Sequence, residues 1–114
     1  MARIFRLALA QINPTVGDIP GNTARILYYL EQARQAEADL VAFPEMAISG
    51  YPPEDLLFKT SFLQDNVSAM NQVVAASQDI AVVVGYVHVG TDISNAAALG
   101  YDGELIDTYD KIYL

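Results

Sequence analysis

Two side chains offer the chemistry that this chain could perform, and both stand at the ends of apolar runs. Glu45 follows the run Leu40 to Phe43 and Pro44, then opens a loop punctuated by Gly50, Pro52 and Pro53. An acid at the carboxyl end of a central strand stands where α/β sheets place ligand-facing groups. Held within hydrogen-bond reach of a proton, it can serve as a general base; a solvated strand-end glutamate fits the same position. Lys111 follows an alternating apolar and polar segment and could offer a positive charge to a developing oxyanion. By itself it reads equally as an exposed lysine, and its value rises only in combination with Glu45. Tyr51, wedged between Gly50 and Pro52-Pro53, could line a pocket with its hydroxyl or anchor the loop.

The remaining polar residues point elsewhere. Glu54 and Asp55 are adjacent carboxylates without a third ligand at a useful spacing, so a solvated helix N-terminus is the better reading. His88 is the only histidine and shares a strand face with Val82, Val84 and Tyr86, which makes it structural. No glycine pattern matches a dinucleotide fingerprint or a phosphate loop. With no cysteine, disulfides and thiolate metal sites are excluded, and a reducing compartment, the cytoplasm, is the expectation.

The formal charge of −8, from 14 acidic against 6 basic residues with no basic cluster, argues against nucleic acid and anionic membranes as partners. The apolar patch Leu7 to Ala10 is shorter than the roughly 7–15 residues of a signal-peptide core. The run Ile80 to Val87 falls far short of the roughly 20 residues that cross a bilayer.

A single domain suits 114 residues with 53% hydrophobic content. Ile4 to Ile12 reads as a strand ended by Asn13-Pro14, and Val16 to Gly21 as a loop leading to Asn22 as N-cap. Ile26, Leu27, Leu30 and Ala33 form the stripe of an amphipathic helix that runs out near Glu37. Leu40 to Phe43 is apolar on both faces, as in a parallel or mixed layered sheet. Ser61 to Gln64 matches a capping box, and Leu63, Val67, Met70 and Val74 mark the second helix face. Ile80 to Val89 is the clearest strand. Asn95 to Tyr101 and Glu104 to Tyr109 form a hairpin about Asp102-Gly103, with Leu105, Asp107, Tyr109 and Lys111 on one face. The chain stops three residues after Lys111 with no polar tail, and a fragment of a longer protein is expected.

The runs DLVAFPEMAISGYPPEDLL and NAAALGYDGELIDTYDKIYL resemble the nitrilase, or carbon–nitrogen hydrolase, superfamily. With VGDIPGN and GYPPEDLL, the chain is similar to the N-terminal glutaminase domains of glutamine-dependent NAD synthetases. The resemblance implies that residues 1–114 are the N-terminal portion of an α-β-β-α sandwich, an α/β fold that is incomplete here. It implies a cysteine–glutamate–lysine amidase in which Glu45 is the general base, Lys111 stabilises the oxyanion and Tyr51 contributes to the glutamine pocket. The nucleophilic cysteine would lie downstream, so the chain is expected to be inactive alone. Within these residues no cofactor is implied; ATP and magnesium belong to an absent synthetase domain that uses the released ammonia to amidate deamido-NAD. The partners implied are glutamine, the remainder of the enzyme and further copies in a homo-oligomer. Another carbon–nitrogen hydrolase, such as an aliphatic or carbamoyl amidase, and a non-catalytic α/β binding module remain as alternatives.

Overall fold

The computed structural model describes residues 3–111. Five strands form one mixed sheet whose spatial order is the chain order: β1 (Leu7–Leu9), β2 (Leu40–Ala42), β3 (Ala81–Val89), β4 (Ile93–Tyr101) and β5 (Glu104–Asp110). The first three run parallel, with helices α1 (Ile19–Gln35) and α2 (Thr60–Ala75) as the crossovers. The last three run antiparallel. Asp102 and Gly103 close the β4–β5 hairpin with φ of 52° and 84°, as the aspartate-glycine pair predicts.

Register divides the sheet into two unlike faces. Val82, Val84 and Tyr86 of β3 pair with Gly100, Ala98 and Ala96 of β4, and all of them face α2. Val73, Val74 and Met70 of α2 join Ile26 and Leu30 of α1 and Val41 of β2 in the same buried cluster. The opposite face carries Leu7, Leu9, Ala42, Val83, Ala97, Leu99 and Tyr109 by the same register. Nothing among the described residues covers it: Leu7, Leu9 and Tyr109 are 55%, 68% and 71% exposed. One helical layer on one sheet is therefore what these residues build.

Several local expectations shift. The first strand is three residues, not nine, because its neighbour β2 offers only three for pairing. Asp18, not Asn22, is the N-cap of α1: its carboxylate accepts from the Gly21 N–H at 3.0 Å, and Pro20 occupies the first turn. The helix ends at Gln35. No capping box forms at Ser61, since Lys59 is the N-cap and Ser61 lies inside the helix. The buried face of α2 is Phe62, Asn66, Ala69, Met70, Val73 and Val74, rotated so that Leu63 and Val67 are half-buried at its margin. A bulge at Ile106 also moves Leu105 to the face opposite Asp107, Tyr109 and Lys111, because Leu105 pairs with Gly100 while Asp107 pairs with Leu99.

Candidate active site

Glu45 owes its position to the way the chain leaves β2. The Phe43 N–H still donates to the Val83 carbonyl at 2.8 Å, but Pro44 has no N–H and the ladder stops. The backbone then crosses directly over Gly85 of β3. A Cβ on Gly85 would come within 2.9 Å of the Glu45 carbonyl carbon, and closer still to the Pro44 oxygen and Met46 nitrogen. Met46 turns the chain in the left-handed region at φ 50°, buried, with its carbonyl accepting from Gly50 at 2.8 Å. Ile48 returns a bond to the Gly85 carbonyl at 3.3 Å, and Ala47 and Ile48 are fully buried beneath the turn.

A second layer of polar bonds braces this turn from below. The buried Asn22 side chain accepts from the Thr15 N–H and donates to the Thr15 and Ile48 carbonyls, at 2.8, 2.8 and 2.9 Å. Gly17 donates to the Ser49 carbonyl at 2.9 Å. Gly50, at φ 81°, brings the loop so near Val16 that a Cβ would stand 2.7 Å from the Val16 nitrogen. The Val16 to Asn22 stretch is thus the support of the Glu45 loop, a role that its turn-rich composition did not disclose. Past β2, the unpaired, buried edge of β3 is satisfied in the same manner: the Asn66 side chain accepts from the Val87 N–H at 3.0 Å and donates to the Val87 carbonyl.

Lys111 arrives from the other side of the sheet. Its N–H donates to the Asn95 carbonyl at 2.8 Å, one residue beyond the end of β5, and its Nζ donates to Glu45 Oε1 at 3.3 Å. The Asn95 side-chain amide donates to the same oxygen. Glu45 and Lys111 are about half exposed, with side chains at 50% and 57%, whereas Asn95 is buried. An exposed ion pair of this kind contributes about 0–1 kcal/mol to stability, so holding the fold together does not explain it.

Tyr51 is 63% exposed and lines a cavity of about 210 Å³ with Glu45, Pro53, Ser94, Asn95 and Lys111. On the uncovered sheet face a larger cavity of about 400 Å³ reaches Glu45 from Val83, Gly85, Ala97 and Tyr109. Of the three residues singled out from sequence, Glu45 and Lys111 therefore meet, and Tyr51 lines the same cavity. Asn95 is the member that sequence reasoning missed. Its signal was present: alternation along β4 sets it on the face of Ala97 and Leu99, a polar residue on an apolar stripe. His88 lies on the opposite face, half-exposed, with its Nδ1 2.7 Å from Asp110 Oδ1. Asp55 sits in the short 3-10 turn Glu54–Phe58 and is exposed.

The carbon–nitrogen hydrolase family model matches residues 6–114. The chain belongs to that family. Among curated members, the glutamine-dependent NAD(+) synthetase of Thermotoga maritima is 40% identical over 112 residues, covering 96% of this chain and 19% of its own length. Among solved structures, a glutamine-dependent NAD(+) synthetase from Cytophaga hutchinsonii superposes with a TM-score of 0.90 at 26% identity, over 96% of this chain and 19% of that one. An amidase from Nesterenkonia sp. follows with a TM-score of 0.84 at 25% identity, over 96% of this chain and 43% of the amidase. This carbon–nitrogen hydrolase chain spans about a fifth of the length of the synthetases it resembles.

Proposed function

We propose that this chain is the N-terminal portion of a glutamine amidohydrolase domain within a glutamine-dependent NAD synthetase. The observation that carries the reading is the convergence of Lys111 Nζ on Glu45 Oε1 at 3.3 Å, with Asn95 on the same oxygen, at the edge of a cavity that Tyr51 also lines. Similarity to synthetases at about 40% identity favours glutamine over other amides.

Glu45 takes the proton of a cysteine thiol supplied from outside these residues. The thiolate attacks the side-chain amide carbon of glutamine, and Lys111 faces the negative charge that gathers on the amide oxygen. Collapse of the tetrahedral species, with a proton delivered to the leaving nitrogen, expels ammonia and leaves a thioester, which water hydrolyses to glutamate. Tyr51 contributes its ring and hydroxyl to the wall of the glutamine pocket. The uncovered sheet face receives the second sheet of the sandwich.

ATP and magnesium serve a separate synthetase domain, where the ammonia amidates deamido-NAD. The described residues of this chain contain no group of three His, Asp or Glu placed for a metal ion, and no step above runs through one. Placement in the cytoplasm and assembly as a homo-oligomer complete the reading. Among the described residues no helix is long and apolar enough to cross a membrane.

The family also contains stand-alone amidases, and the Nesterenkonia fold match makes that the second reading. Assay of the full-length protein separates the two. Release of ammonia from glutamine, with aliphatic amides turned over far more slowly, is the expected result. Preference for aliphatic amides would replace it with the amidase reading.

A further inference from the structure

The ends of three strands meet at His88, Ser94 and Asp110, on the sheet face opposite Glu45. Asp110 Oδ1 lies 2.7 Å from His88 Nδ1 and accepts from the Ser94 hydroxyl at 3.1 Å. His88 is on β3 and Asp110 on β5, with β4 between them, so this single carboxylate oxygen ties three strands across the full width of β4. The next residue is Lys111. By alternation it projects to the other face, where it meets Glu45. Its backbone tie among the described residues is the bond from its N–H to the Asn95 carbonyl, just past the end of β5.

We infer that His88, Ser94 and Asp110 form a clasp that fixes the exit of β5 and thereby positions Lys111 against Glu45. The clasp is a positioning device: none of its three side chains is hydrogen-bonded to Glu45, and of the three only Ser94 also borders the Tyr51 cavity. His88 and Asp110 are 37% and 47% exposed, so their pairing adds little to global stability. Its effect falls on geometry where β5 hands over to Lys111. A lysine on a flexible four-carbon stem samples many positions when its strand exit is untied, whereas one carried from a clasped strand starts within reach of its partner. The functional consequence rests on the glutamine amidohydrolase reading; the structural one does not.

Two readouts on the full-length protein test this, with Asp110→Ala, His88→Ala and the conservative Asp110→Asn. The first is hydrogen exchange at the Lys111 amide, which requires no catalysis. It should accelerate about tenfold in Asp110→Ala while amides in the middle of β4 hold their rates. The second is steady-state glutamine hydrolysis. A drop in kcat of about tenfold in Asp110→Ala, with KM and melting temperature unchanged and activity restored in Asp110→Asn, is the expected pattern. Unchanged exchange at Lys111 in Asp110→Ala would overturn the clasp. Faster exchange with unchanged kcat would overturn its positioning role. Wild-type protein that fails to hydrolyse glutamine would refute the functional reading, and the exchange measurement would still decide the clasp.

Discussion

Gly85 lies directly beneath Glu45: a Cβ at that point of β3 would stand 2.9 Å from the glutamate's carbonyl carbon. The carboxylate is therefore placed by a missing side chain as much as by its own loop. Substituting Gly85→Ala should push the Pro44–Met46 backbone off the sheet. The expected cost is about 1–3 kcal/mol of stability, visible as a lowered urea midpoint. Glutamine hydrolysis should fall further than the stability loss alone accounts for, measured at a temperature where the variant is fully folded.

Asn95 anchors both members of the pair, one through its amide and the other through its carbonyl. Removing the amide in Asn95→Ala should lower kcat for glutamine hydrolysis about tenfold. Asn95→Asp is the sharper change. It sets a second carboxylate against Glu45, and two like charges at that distance favour sharing a proton. The acidic limb of the pH–rate profile should then move to higher pH than in the parent. A profile that superposes on the parent's would show that Asn95 does not govern Glu45.

Asn22 holds Thr15 and Ile48 together through three buried bonds. In Asn22→Ala those backbone groups lose their partner, at a cost of about 3 kcal/mol. Chemical denaturation measures this directly. A loss well under 1 kcal/mol would show that water replaces the side chain.

Tyr86 gives a pH signature. Burial pushes its phenol above the ordinary value, the Asp110 charge adds in the same direction, and a hydrogen bond with Thr108 works against them. The folded chain therefore keeps a proton that the unfolded chain releases above about pH 10. This contribution to stability is complete below that pH and is lost as pH rises through the folded value. The urea midpoint should fall more steeply above about pH 10 in the parent than in Tyr86→Phe. Equal slopes would contradict the assignment.

Strands and turns with strong local signals were legible in the sequence, and long-range braces were not. Asp102-Gly103 predicted its hairpin because the turn requires two positive φ values that this pair tolerates. Glu45 was readable as a presented acid because an apolar run ending in proline cannot continue its ladder. Asn22 was read as a helix cap because its type suits one, yet its partners lie across a loop contact with Ile48 that no local pattern encodes. The bulge at Ile106 flipped Leu105 for the same reason, since register is set by pairing with β4 and not by alternation alone. Glu45 and Lys111 were joined through resemblance; their approach depends on the sheet order β2-β3-β4-β5.

Glu45 is proposed as the base of a glutamine-hydrolysing site coupled to a separate ammonia-using domain. The most direct measurement compares NAD formation from glutamine and from ammonium in the full-length protein carrying Glu45→Gln, a change that keeps the shape and removes the base. The glutamine-supported rate should fall about 10³-fold, while the ammonium-supported rate stays at the parent's level. A glutamine-supported rate within a few-fold of the parent's would contradict the role assigned to Glu45.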